Sequence, residues 1–188
     1  SKYIIDQMKN SVKRNGKNCV LLLDDGSYFF GVGSGYFGDF LGEICFNTSI
    51  TGYQEILTDP SYYNQIINFT FPHIGVVGAN FEDYESDKIY ASGCIINNPV
   101  SVASNFRSKM DFEKWLKLNK KVCVSNIDTR ALTKRIRNLG ACKALIHFPK
   151  NAFFENMTNL KAKLMKFPSM KNLDLASKIS TNYIYKWF

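Results

Sequence analysis

The chain has 188 residues, 45% of them hydrophobic and 21% charged, with a formal net charge of +8. That length suits one domain, or one domain plus a linker, with a buried core of soluble globular type. Its apolar runs fall short of the roughly eighteen residues a membrane span needs, and residues 1–18 hold no apolar block of the secretory kind.

Residues 1–18 are polar and basic and form an N-terminal extension, with room for a short helix from Ile4 to Met8. Cys19–Leu23 is a continuous aliphatic run, the pattern of a strand buried on both faces. Asp24-Asp25-Gly26-Ser27 is a turn, with Asp25-Gly26 the two-residue hairpin signal, and Tyr28–Val32 is the returning strand. Gly31, Gly33, Gly35, Gly38 and Gly42 lie among aromatic, strand-like residues. No Gly-Lys-Ser/Thr follows them, so they predict bent, twisted strands rather than a phosphate loop. Phe40–Phe46 is the third strand. The polar stretch 47–65 connects it to a strand over Ile66–Phe71, with one or two helical turns over Tyr53–Leu57. Pro60 ends that helix by disfavouring helical geometry at Asp59. Long connections of this kind in compact domains are usually functional or disordered, and this one has too many aromatic and aliphatic residues for disorder.

Pro72-His73-Ile74-Gly75 turns the chain, and His73 beside it reads as a structural hydrogen-bonder. Glu82–Asp87 is an acidic loop, Tyr90–Ile96 a strand stopped at Asn97-Asn98-Pro99, and Ser104–Arg107 a loop or short helix. The alternation then changes. Asp111 is expected to cap a helix with Phe112, Trp115 and Leu116 inward, followed by a strand at Val122–Val124. Asp128 caps a second helix with Leu132, Ile136 and Leu139 on one face and Gly140 past its end. Its outer face carries Arg130, Lys134, Arg135 and Arg137. Ala144–Phe148 is a strand, and Asn151–Phe167 a helix with Met157, Leu160 and Leu164 inward, stopped by Pro168. Asp174–Ser180 has the pattern of a further short helix. The order, mainly β through residue 98 and then αβαβα, predicts sheets with helices on one outer side.

The charge is uneven: +4 over residues 1–18, −9 over 19–106, +8 over 107–149 and +5 over 150–188. The halves either neutralise each other within one fold or form a docking surface for a charged partner. The five cysteines, Cys19, Cys45, Cys94, Cys123 and Cys142, are widely spaced, with no CxxC pair. They read as reduced, strand-buried thiols of a cytoplasmic protein. Only His73 and His147 are available to join them, so no metal site is expected. No cysteine sits in a Gly-x-Cys-x-Gly turn, which an exposed nucleophile on a strand-to-helix bend requires, so no catalytic residue is assigned.

Four segments, in order, resemble one family. They are Asn47-Thr48-Ser49-Ile50-Thr51-Gly52-Tyr53-Gln54-Glu55-Ile56-Leu57-Thr58-Asp59-Pro60-Ser61-Tyr62, then Pro72-His73-Ile74-Gly75 with Gly78 and Asn80, then Ala103-Ser104-Asn105-Phe106-Arg107, then Ile127-Asp128-Thr129-Arg130-Ala131-Leu132-Thr133. Together they resemble the N-terminal domain of the small (glutamine amidotransferase) subunit of glutamine-dependent carbamoyl-phosphate synthase. The likeness runs from Cys19 to about Gly140, and more loosely over Pro168–Trp187. It departs at Val76, where the family usually has asparagine.

The resemblance implies an α/β fold, a three-layer β/β/α sandwich of the swivelling-domain type. It implies residues 19–150 as that domain and residues 151–188 as a helix and linker toward a C-terminal amidotransferase domain, expected to be missing through truncation. The implied role is docking that amidotransferase on the synthetase large subunit for carbamoyl phosphate synthesis, in pyrimidine and arginine formation. By the same resemblance Ser61 contacts glutamine, with Thr58, Asp59 and Tyr62 supporting it. Arg107, Arg130, Arg135 and Arg137 are the partner-facing candidates. No cofactor is expected on this chain; ATP and Mg belong to the large subunit. Neither nucleic acid nor membrane is expected as a partner. A stand-alone protein-interaction domain is the alternative, and a basic nucleic-acid-binding module a further one.

Overall fold

The computed structural model describes residues 16–48, 53–70, 88–97 and 106–168. The expected features at Ile4–Met8, Pro72–Gly75 with His73, Val76, Glu82–Asp87, Asn98-Pro99, Ala103–Asn105 and Asp174–Ser180 lie outside these residues. Seven strands form one closed sheet: β1 (Cys19–Leu23), β2 (Tyr28–Gly35), β3 (Gly38–Asn47), β4 (Gln65–Phe69), β5 (Gly93–Ile95), β6 (Val122–Ser125) and β7 (Cys142–Phe148). Their order around the barrel is β1-β2-β6-β5-β4-β3-β7. β7 pairs antiparallel with both β1 and β3, which closes the ring. β4 is parallel to β3 and to β5, and β5 to β6. Among the described residues four α-helices accompany the strands: α1 (Tyr53–Leu57), α2 (Phe106–Leu118), α3 (Thr129–Leu139) and α4 (Met157–Lys166).

Strand parity explains the layers. In β1, Cys19, Leu21 and Leu23 face the barrel interior with Ile44, Ile66, Ile95, Val122, Val124, Ala144 and Ile146. Val20 and Leu22 point outward beneath Met157, Leu160 and Leu164 of α4. On the opposite side Ile67, Phe69, Cys94 and Cys123 point outward beneath Phe112, Trp115 and Leu116 of α2. Both faces of these strands are therefore dry, as their aliphatic runs require. α3 closes one end of the barrel, with Leu132 and Ile136 joining the interior cluster.

Three local expectations are corrected. α2 begins at Phe106, so Asp111 lies inside the helix rather than capping it; the apolar face, not the acidic side chain, decides where the helix runs. The β1–β2 turn covers Asp24–Ser27 as expected, but it is not a two-residue hairpin loop: Leu23 N–H donates to Ser27 O at 2.9 Å, leaving three residues between them. α4 starts at Met157 after the side chain of Asn156 caps Thr158 N–H; residues 150–152 form a separate 3-10 turn with Asn151 in left-handed geometry. β2 continues through its glycines because they face crowded ground. A Cβ on Gly33 would meet the Phe148 ring at 2.6 Å, so only glycine lets β2 approach that ring.

Candidate functional site

β3 and β4 run parallel, so the chain between them must return along the outside of the barrel. α1 is ended by Thr58, whose hydroxyl donates back to Gln54 O at 2.9 Å. Asp59 is then extended, and its carboxylate accepts from Ser61 N–H at 2.9 Å. Pro60 opens a 3-10 turn over Pro60–Tyr62, a position that suits its fixed φ and missing N–H. The turn is pinned on both sides. Leu57, 1% exposed, sits in the cluster under α2, and Leu57 O accepts from Tyr90 N–H at 2.9 Å. The partly buried Tyr62 ring joins the same cluster, and its hydroxyl accepts from Asn47 Nδ2 at 3.3 Å. Asn64 O then accepts from Glu43 N–H at 3.1 Å. A Cβ on Gly42 would lie 2.6 Å from Asn64 O, so that residue lets the loop end rest on β3.

Ser61 is exposed on this rigid turn. Its N–H is committed to Asp59, whereas no hydrogen bond to its hydroxyl occurs among the described residues. A hydroxyl held this way can donate to a carboxylate and accept from an ammonium. Of the three expected supporting residues, Asp59 accepts from the backbone N–H of Ser61, whereas Thr58 ends α1 and Tyr62 packs beneath the turn.

The basic residues behave differently from one another. Arg135 Nε and Nη2 converge on Asp25 Oδ2 at 2.9 and 2.8 Å. The Arg137 guanidinium lies 5.2 Å above the Phe46 ring, a cation–π contact. Arg130 and Lys134 are exposed. Arg107 lies in the first turn of α2, and its side chain lies outside the described residues. Ser61 sits on the crossover flanking β4, whereas the arginines of α3 sit on the helix that closes the barrel end.

All five cysteines are free thiols; Cys45 is half-buried and the rest are buried. Burial, then the Glu43 charge, pushes Cys45 up to about 11. Burial, with Asp24 beside it, pushes Cys142 up to about 12. The Cys19 thiol is raised chiefly by burial, and that of Cys94 by its hydrogen bond with Cys123 and then by burial. Thiolate is the reactive form, so these groups are poor nucleophiles. Ellman's reagent at pH 7.5 should label less than about one thiol quickly in the folded chain and all five after unfolding. The same 188 residues should release no glutamate from glutamine; turnover that survives replacing every cysteine would require an unrelated mechanism.

Sequence reasoning missed one polar cluster. His147 Nδ1 donates to Asp39 Oδ1 at 2.5 Å, and His147 Nε2 accepts from Glu155 N–H at 3.1 Å. Lys163 Nζ bridges Asp39 Oδ2 at 2.6 Å and Glu155 Oε2 at 2.7 Å. Ligand atoms of Asp39, His147 and Glu155 lie within 4.8 Å of one another, close enough to hold a cation. The tethered Lys163 ammonium already supplies that positive charge, and both ring nitrogens are engaged. The cluster fastens α4 to β3 and β7. Its only sequence signals are the outward parity of His147 on β7 and the Glu155–Lys163 spacing, neither of which points to Asp39.

Burial would raise the Asp39 carboxyl, but the hydrogen bonds from His147 and then Lys163 outweigh it and hold it below the ordinary 3.8. A depressed carboxylate adds stability above its unfolded value and loses it as pH falls through the folded one. Asp39→Asn should therefore lower the melting temperature at pH 7 and flatten the loss of stability below about pH 4. An acid limb as steep as the parent's would remove Asp39 from that role.

The comparisons agree with one another. The family model described as carbamoyl-phosphate synthase small chain, CPSase domain, matches residues 21–146. The chain is 47% identical over 172 residues to the carbamoyl phosphate synthase small chain of Buchnera aphidicola subsp. Schizaphis graminum, covering 92% of this chain and 44% of that protein. It is 45% identical over 168 residues to that of Zymomonas mobilis, covering 89% and 44%. Against that of Vibrio cholerae it is 46% identical over 171 residues, covering 91% and 44%. The chain thus spans less than half the length of these relatives. Among the described residues no helix is long and apolar enough to cross a membrane.

Proposed function

The chain belongs to the carbamoyl-phosphate synthase small-chain family, matching its CPSase domain, and from that premise we propose that it serves glutamine-hydrolysing carbamoyl phosphate synthesis. In this role the barrel docks an amidotransferase domain on a synthetase large chain in the cytoplasm, for pyrimidine and arginine formation. Ser61 contacts glutamine; Thr58, Asp59 and Tyr62 hold it in place. Arg107, Arg130 and Arg137 are the proposed partner-facing residues, whereas Arg135, the fourth expected one, is paired with Asp25 within the chain. ATP and Mg act on the large chain. The swivelling-domain type is proposed with it, supported by family membership and by strands covered by α2 on one side and α4 on another.

One observation carries the proposal: a serine hydroxyl held outward on a turn whose backbone is fixed by Asp59 and whose flanks are fixed by Leu57 and Tyr62. A binding group placed this way loses little freedom when its ligand arrives. The test is to co-express the complete protein carrying this sequence with its synthetase chain and follow carbamoyl phosphate formation. We expect the two to copurify and to form product from glutamine. Product from ammonia but none from glutamine would overturn the proposal.

A further inference from the structure

The four cations on α3 do not share one fate. Arg135 spends its charge inside the chain, on Asp25. Arg130, Lys134 and Arg137 fall at i, i+4 and i+7, so they lie along one face over about 10 Å of helix. All three are exposed, and no ion pair to Arg130 or Lys134 occurs among the described residues. At the foot of this stripe the Phe46 ring, 38% exposed, carries the Arg137 guanidinium on its face. That contact holds the arginine while leaving its edge N–H groups for an acceptor. An oriented arginine over an aromatic ring, with cations around it, has the make-up of an interface anchor. We propose that the Arg130–Lys134–Arg137 face of α3, with Phe46 at its foot, docks on a carboxylate-bearing face of the synthetase chain.

Charge complementarity selects the occupant. A nucleic acid backbone needs an unbroken field of cations. Here Asp128 at the N-terminal end of the helix would repel phosphates, and the Arg135 charge is already spent on Asp25, so the field is broken. Discrete carboxylates suit the stripe: each cation can take one, and the Arg137 edge can take one bidentately. Leu132 and Ile136 are sealed inward, so a partner can meet the exposed Arg130, Lys134 and Arg137 without opening the fold. The inference rests on the reading of the chain as part of a synthetase-docking subunit, and goes beyond it by joining Lys134 and Phe46 to Arg130 and Arg137 in one surface.

The test is calorimetric titration of the complete subunit with the synthetase chain, at low and at moderate salt. Arg130→Glu with Lys134→Glu should weaken binding by about 100-fold or more and flatten its salt dependence. Arg135→Gln should weaken it by less than about 10-fold, since only the internal pair with Asp25 is lost. Both variants should melt within a few degrees of the parent, because the changed side chains are exposed. Parent-like affinity in the double variant would overturn the surface while leaving the proposed function standing. No binding by the parent itself would overturn the proposed function, and the surface with it. Tight binding of a 20-base-pair duplex by the parent, lost in the double variant, would assign the stripe to nucleic acid instead.

Discussion

Replacing Ser61 by alanine in the complete subunit is expected to raise the KM for glutamine by about 10- to 150-fold. That range is the loss of one hydrogen bond to a charged group, about 1.5–3 kcal/mol, converted at about 1.4 kcal/mol per tenfold. A hydroxyl fixed on a rigid turn reaches ground and transition states alike, so the loss belongs in KM rather than in kcat. Ammonia-driven synthesis bypasses glutamine and should be unchanged. The melting temperature should stay near the parent's, because Ser61 is exposed and its structural bond comes from its backbone N–H, which alanine retains. Asp59→Ala separates position from chemistry. It keeps the hydroxyl but removes the carboxylate that caps the 3-10 turn, a loss of about 0.5–2 kcal/mol of local stability. It should raise the glutamine KM less than Ser61→Ala and speed amide exchange across residues 58–63. An unchanged glutamine KM in Ser61→Ala would reduce Ser61 to a turn residue. A large fall in melting temperature would make it structural, whatever happened to the kinetics.

Local rules made parts of this molecule legible and left others hidden. The five residues of β1 announce a strand buried on both faces, and α3 was bounded at both ends by Asp128 and Gly140, each of which caps as expected. The Ser61 turn was legible for the same reason: Thr58, Asp59 and Pro60 act on neighbours within four residues. Closure of the barrel was not legible, because β7 pairs with strands about a hundred or more residues earlier, and nothing in Cys142–Phe148 names those partners. The continuation of β2 past Gly33 depends on the Phe148 ring, equally remote in sequence. The same holds for charge. Arg130 and Arg135 look alike in a helical pattern, yet Asp25, 110 residues away, neutralises only Arg135. Lys163 finds Asp39 across 124 residues. Contacts within a turn of chain can be read in order; contacts that depend on where two strands meet cannot.

Trp115→Ala should be the most damaging single truncation in the α2 layer. The ring is fully buried between α2 and the outward faces of β4, β5 and β6, with Phe112 6.2 Å away between ring centroids. Removing a buried tryptophan typically costs about 3–5 kcal/mol in lost burial and residual cavity, against a total of about 5–15 kcal/mol for an ordinary domain. The variant should therefore unfold at much lower denaturant, and its midpoint should fall with little change in slope. Leu118→Ala, on the same helix but 62% exposed, should stay within about 0.5 kcal/mol of the parent. The damage should also reach the crossover, because Leu57 and Tyr62 pack in the same cluster as Trp115. A hole there loosens the two anchors of the 3-10 turn, so the glutamine KM should rise in Trp115→Ala even at temperatures where the protein remains folded. A strongly destabilised variant with a parent-like KM would show that the turn keeps its geometry without the α2 layer, and that Asp59 and Pro60 suffice to hold Ser61.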